Sequence, residues 1–244
     1  MKPYFQEGNI TIYHGDCLEV MKNIDFPKRS LLFTDPPYGI KESAGKNKSR
    51  GMFTTIGSKR KSLAKSQDFG NKDWDDQIPP KEYFEFVLNH TSDQILFGGN
   101  YFLDHLPSTS CFLIWDKDNH GTDFADCEIA WTSFKSAIRL FKFRWNGMLQ
   151  QDMKNKEIRI HPTQKPSHLA KQILQRYYDP DKYDTVIDSY MGSGSFGLAS
   201  KILNIPYIGI EQDEEYIKGA INRLASVKYL INNTTPQKKK GLLY

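Results

Sequence analysis

The glycine-rich turn after Asp188 restricts what this chain can fold into more than any other part of it. Thr185-Val186-Ile187-Asp188 reads as a buried strand. Gly192, Gly194 and Gly197 then form a G-x-G-x-x-G that leads into a helical stretch, Ser195–Leu203. Glycines let the backbone turn tightly and approach a ligand closely. The next strand, Tyr207–Glu211, ends in an acid 23 residues beyond Asp188. A carboxylate there can accept both ribose hydroxyls of an adenosine. Strand, turn, helix and acid in this register point to a nucleoside-cofactor site, with Asp188, Met191, Gly192, Ser193, Gly194 and Glu211 as its candidate residues. The motif alone does not separate a nicotinamide dinucleotide from a sulfonium nucleoside. Asp188 tilts the choice, because a carboxylate suits an ammonium group and repels a pyrophosphate.

The rest of the chain alternates strand-like and helix-like stretches. Strands are expected at Ile10–Tyr13, Ser30–Thr34, Gln94–Phe97, Cys111–Trp115, Glu128–Thr132 and Ile138–Trp145. Helices are expected at Asp16–Ile24, Pro80–His90, Pro166–Tyr178 and Asp213–Ala225. Continuous apolar runs such as Ser30–Thr34 suit strands buried on both faces. Alternation of this kind predicts a doubly wound, mostly parallel α/β sheet with helices on both faces, in one domain over residues 1–244. Ligands in such sheets sit beyond the carboxyl ends of the strands, so the residues just after each strand are the informative ones. No apolar run approaches the ~20 residues of a membrane helix, and the N-terminus lacks an apolar signal core. Cys17, Cys111 and Cys127 form no Cys-x-x-Cys pair, and the histidines have no ligand spacing. No metal site is expected, and the cysteine usage fits a reducing cytoplasm.

Asp35-Pro36-Pro37-Tyr38 directly follows the strand at 30–34. Two prolines stiffen the backbone and remove two amide donors. The Pro36 carbonyl and the Asp35 carboxylate then become two fixed acceptors beside an aromatic ring. That arrangement suits a planar aromatic amine, with Tyr38 stacked on its ring. The lone pair of such an amine is delocalised, and acceptors out of the ring plane favour a pyramidal nitrogen that can attack. Groups preorganised for that geometry stabilise the transition state rather than the ground state.

With these residues the sequence resembles the DNA amino-methyltransferases that modify adenine N6 or cytosine N4, over most of its length. Asp35-Pro36-Pro37-Tyr38 is similar to their catalytic motif, and Asp188 to Gly197 to their cofactor motif, with Ser189, Tyr190 and Ser195-Phe196 as departures. The catalytic motif comes first, as in the beta group. The resemblance implies a Rossmann-like methyltransferase sheet in permuted order, S-adenosyl-L-methionine as cofactor, and direct methyl transfer to a flipped base. His161-Pro162-Thr163-Gln164-Lys165-Pro166 is similar to the segment leading into the helix beside the cofactor's methionine carboxylate. It adds Thr163 and Lys165 to the cofactor set, with Pro166 at a first helical position leaving free amides. Asp16 resembles the acid that contacts the cofactor's adenine, and reads equally well as a helix N-cap. Phe97-Gly98-Gly99-Asn100-Tyr101 and Trp115-Asp116-Lys117 resemble segments that line the target-base pocket. The acid at position 35 is more like adenine enzymes, with cytosine N4 as the nearest alternative. A nicotinamide oxidoreductase would leave Asp35–Tyr38 unexplained.

The net charge of +4 conceals an asymmetry: residues 41–72 carry nine basic and two acidic residues. This stretch, extended to 41–75, reads as a long mobile loop that begins three residues after Tyr38 and so borders the cleft mouth. Lys46, Lys48, Arg50, Lys59, Arg60 and Lys61 are the candidate contacts to double-stranded DNA. Residues 118–160 are the candidate target-recognition region, and 232–244 a polar tail. A homodimer is in keeping with the resembled group.

Overall fold

A computed structural model of the chain describes residues 1–40, 75–119, 125–146 and 149–226. The six basic residues from Lys46 to Lys61 and the tail at 232–244 lie outside the described residues.

Among the described residues the strands run β1 (Phe5–Glu7), β2 (Ile10–His14), β3 (Ser30–Thr34), β4 (Asp93–Phe97), β5 (Phe112–Asp116), β6 (Cys127–Thr132), β7 (Arg139–Lys142), β8 (Trp145–Asn146), β9 (Leu149–Gln150), β10 (Thr185–Asp188) and β11 (Tyr207–Glu211). The helices are α1 (Cys17–Asn23), α2 (Lys81–His90), α3 (Ser167–Tyr177), α4 (Ser195–Ile202) and α5 (Glu214–Ser226), and a 3-10 turn spans Gly99–Tyr101. Nine strands form one sheet in the order β1-β2-β11-β10-β3-β4-β6-β5-β7, and β8 pairs with β9 apart from it. From β2 to β4 every pairing is parallel, and β6 lies antiparallel between β4 and β5. This is the mostly parallel α/β sheet that the alternation of elements predicts.

The central strands β3, β4 and β10 are buried along their whole length. Successive side chains of a strand point to opposite faces, which divides the core in two. Leu31 and Phe33 join a cluster with Leu169, Ile173, Leu198 and Ile217 from α3, α4 and α5. Leu32, Leu96 and Ile187 join a second cluster with Val20, Tyr83, Phe84 and Val87 from α1 and α2. The Phe33 ring stacks on Phe196 at 4.1 Å and ties the strand of one motif to the helix of the other.

The chain leaves β10 through α4 toward β11 on one side, and leaves β3 through α2 toward β4 on the other. Since β10 and β3 are neighbours, the crossover direction reverses between them. A crevice opens at such a switch point, beyond the carboxyl ends of the strands. Asp188 ends β10 and Asp35 follows β3, so both motifs arrive at this crevice.

Three details differ from the sequence reading. Ile138–Trp145 is not one strand. Phe143 extends the β5 side by donating to the Asp116 carbonyl, and Arg144 then turns away, paired through its backbone with Gln151. The edge strand β1 is only three residues long and mostly exposed, so it leaves no apolar pattern to read. Strand β6 begins at Cys127, one residue before the expected Glu128, and lies between β4 and β5 within the candidate recognition region.

Candidate active site

A cleft of about 710 Å³ opens beyond β2, β3, β10 and β11. This is within the usual range for small-molecule sites. Gly15 and Asp16 line it after β2, Asp35 and Pro37 after β3, Asp188 to Ser193 after β10, and Glu211 to Asp213 after β11. Thr163, Lys165 and His161 close it from the segment before α3. Eight of the nine expected cofactor residues therefore face one space. The exception is Gly194, whose backbone is at φ +72 as the N-cap of α4 and where a Cβ would lie 2.9 Å from that of Ala220.

The glycine turn is held by the acid that follows it. Gly192 donates its amide to Glu211 Oε2 at 2.8 Å, and Asp213 donates to Oε1 at 2.9 Å. A carboxylate accepts up to about four bonds, so both oxygens keep capacity for hydroxyl donors. Burial raises the Glu211 carboxyl, and these amides oppose the rise. Asp16 is the N-cap of α1, with Oδ1 accepting from the amides of Leu18 and Glu19, and it also faces the cleft. The N-cap reading is met, and the same residue lies at the cleft wall.

Asp188 is almost fully buried. Its Oδ1 accepts from Thr34 at 2.9 Å, and its Oδ2 accepts from Tyr207 at 2.8 Å. Burial pushes its carboxyl up to about 7, against those two hydrogen bonds. The cleft lining is acidic: Asp16, Asp35, Asp188, Glu211, Asp213 and Glu214 face it, with Lys165 as the lone lysine among the described lining residues. That field favours a cationic ligand and disfavours a pyrophosphate. Cys17 also lines the cleft, but burial pushes its thiol up to about 12, far from a thiolate nucleophile at neutral pH.

The catalytic motif is arranged differently from the expectation in two respects. Tyr38 donates its phenol to Asp35 Oδ1 at 2.5 Å, and its ring is stacked on Tyr101 at 4.8 Å. Tyr101 is 43% exposed, so a neighbour at the surface holds a face of the ring assigned to the target base. Lys165 does not stand free for a cofactor carboxylate. Its Nζ donates to Asp35 Oδ2 at 2.5 Å and lies 3.1 Å from Glu128 Oε2. Lys117 meets the other oxygen of Glu128 at 2.6 Å. Burial works against the Lys165 ammonium, but Asp35 and Glu128 together outweigh it and hold the pKa above the ordinary value. Burial also raises Asp35, with Lys165 opposing and Glu128 adding to the rise.

The start of α3 is likewise occupied. Glu157 accepts from the amide and hydroxyl of Ser167 and pairs with Arg223, so the anion at that helix terminus belongs to the chain. Pro166 is the N-cap rather than the first helical residue. The segments expected near the base pocket divide. Gly98 has φ +70, and a Cβ there would lie 2.1 Å from Tyr38 Cε1, so the glycine admits the ring. Trp115 is core, donating to the Phe143 carbonyl. Asp75 accepts from the amides of Tyr38 and Gly39, which brings both flanks of residues 41–74 beside the catalytic turn. Sequence reasoning placed Tyr101 in a segment near the base pocket but missed Glu128, Asp75 and Glu157. None belongs to a spaced pattern, and each is recognisable only by what it touches.

A family model described as DNA methylase, of the N6/N4 type, matches residues 106–222. The Type II methyltransferase M2.MboI of Moraxella bovis is 26% identical over 271 residues, covering 98% of this chain and 96% of that protein. M.HinfI of Haemophilus influenzae is 26% identical over 263 residues, covering 93% and 72%. The chain is thus similar to DNA methyltransferases of the N6/N4 type. Two solved structures share the fold of this methyltransferase. The M1.HpyAVI–SAM complex has a TM-score of 0.54 at 21% identity, covering 88% of this chain and 98% of that one. The cytosine-N4-specific PvuII DNA methyltransferase has a TM-score of 0.53 at 17% identity, covering 97% and 92%.

Two outcomes follow from this geometry. Gly98→Ala forces Tyr38 from its place and adds a left-handed backbone penalty of about 1–2 kcal/mol. Methyl transfer should fall at least tenfold, and retention of full activity would show that Tyr38 needs no such seat. Asp188 titrates near 3.9 when unfolded and at about 7 when folded. Between those values the native carboxyl holds a proton that the unfolded chain has released. Its contribution to stability is therefore complete below pH 4 and is lost toward pH 7, by up to about 1.4 kcal/mol per unit. Urea unfolding from pH 4 to 8 should show Asp188→Asn losing this component, and parallel curves for the two proteins would assign the titration elsewhere.

Proposed function

We propose that this methyltransferase moves the methyl group of S-adenosyl-L-methionine to adenine N6 of a base flipped out of double-stranded DNA. The observation that carries the reading is that Asp35 and the Gly192 turn line one cleft. The donor fits the residues present. Glu211 and Asp16 offer acceptors to an adenosine, and Asp188 offers a carboxylate to an ammonium group. The acidic lining suits a sulfonium cation, and it separates this reading from a nicotinamide enzyme. When bound, the cofactor supplies an electrophilic methyl group.

The residues of the chain do the rest. Asp35 accepts an N–H bond from the target amine and, together with the Pro36 carbonyl, favours the pyramidal nitrogen. The Tyr38 ring offers a stacking face once the base has left the duplex, an extrusion that costs a few kcal/mol. The Cys17 thiol stays protonated, in keeping with direct transfer and no covalent enzyme intermediate. Adenine is favoured over cytosine N4 by the acid at position 35. No helix among the described residues is long and apolar enough to cross a membrane. We place the enzyme on cytoplasmic DNA within a type II restriction–modification pair.

Asp35→Ala should abolish methyl transfer while S-adenosylhomocysteine affinity stays within about threefold. Loss of both together would reassign Asp35 to the cofactor. Sequencing DNA from a host that expresses the enzyme, with modified-base detection, should reveal N6-methyladenine; N4-methylcytosine would establish the alternative base. Neutralising Lys59, Arg60 and Lys61 should weaken DNA binding and reduce the slope of log K against log salt by up to about 2.7. An unchanged slope would take these residues out of the interface.

A further inference from the structure

The methyltransferase reading leaves one difficulty. Asp35 must accept a bond from the target amine, yet both its oxygens are engaged, Oδ1 by Tyr38 and Oδ2 by Lys165. The Lys165 ammonium therefore stands where an N–H donor of the substrate would stand. It cannot simply be lost to solvent, because its side chain is only 5% exposed. A buried cation needs a second partner if it is to leave its first.

Glu128 offers that partner. It projects from the inner strand β6 with Oε1 held by Lys117 at 2.6 Å. Its Oε2 is buried and already forms an ion pair with Lys165 Nζ at 3.1 Å, longer than the 2.5 Å contact of that ammonium with Asp35. One oxygen is thus anchored by Lys117, and the other is an acceptor already paired with the ammonium, whose shorter contact goes to Asp35. The network contains two lysines and two carboxylates, so moving the ammonium from Asp35 to Glu128 changes no net charge in the cleft wall.

We propose that Glu128 is a positioning residue that takes the Lys165 ammonium when the target amine takes Asp35. Glu128 touches neither substrate nor cofactor and acts through Lys165 alone. The inference rests on the methyl-transfer reading given above. It gives a role to a half-buried acid that follows the exposed Cys127 and precedes Ile129 in β6. It also explains why a lysine faces the cleft without standing free for an anion.

The test uses the full chain, tritiated S-adenosyl-L-methionine and unmethylated genomic DNA of mixed sequence. Glu128→Gln should lower kcat at least tenfold, with KM for the cofactor and S-adenosylhomocysteine affinity within twofold. Glu128→Asp keeps the carboxylate and should recover part of kcat. Because Glu128 acts through Lys165, adding Glu128→Gln to Lys165→Met should cost less than twofold beyond Lys165→Met alone, the non-additivity expected of coupled residues. Wild-type kcat in Glu128→Gln, or losses that multiply in the double variant, would overturn the inference. Should Glu128→Gln fail to bind S-adenosylhomocysteine, Glu128→Asp carries the test, and a loss of cofactor affinity there as large as its loss of kcat would also overturn it. Absence of transfer by the unaltered chain would instead remove the underlying function.

Discussion

A hydrogen bond from Thr34 to Asp188, between residues 154 positions apart, is the contact on which the site depends. It joins the last residue of β3 to the last residue of β10 in the buried interior, where the crossover direction of the sheet reverses. Tyr207 completes the tie from β11. A buried carboxylate is tolerable only when its oxygens are satisfied. The donors that satisfy Asp188 come from the two strands flanking its own, the end of β3 and the start of β11, so the condition that makes the buried acid tolerable also ties the three strands together. The glycine turn and the Asp35 turn then leave the sheet side by side.

Among the described residues the cleft lining is acidic, and the one lysine that faces it is already shared between two acids. This charge arrangement distinguishes the methyltransferase from other users of a glycine-rich turn. A pyrophosphate would meet six carboxyl groups at close range, whereas a sulfonium and an ammonium meet complementary charge. The same burial that raises Asp188 and Glu211 keeps Cys17 a thiol. Among the described residues the cleft wall thus presents carboxyl groups that suit a cation, and Cys17 is not an activated nucleophile.

On the catalytic side the groups are preorganised through contacts within the chain. Gly98 admits the Tyr38 ring, Tyr101 stacks on it, and Asp75 fixes the turn by accepting two amides. Lys165 and Tyr38 hold Asp35 from both sides. Such a network places the acid accurately. It also means that substrate must displace existing donors rather than fill an empty seat. Glu128 gives the displaced charge a destination.

Much of this was legible in the chain itself. Ser30–Thr34, Thr185–Asp188 and Tyr207–Glu211 are strands with the bounds their apolar patterns imply, because strands buried on both faces carry an unbroken signal. The residues that line the cleft after β10 and β11 were legible because the turn needs glycines at fixed spacing and the acid needs a strand end. Local order and residue type were thus determined by sequence alone. Only the tertiary structure decided the partners: that Lys165 holds Asp35, that Glu157 rather than a ligand anion caps α3, and that Glu128 faces the catalytic acid from an inner strand. Electrostatic partnership depends on distance in space and on burial, and neither leaves a period in the sequence.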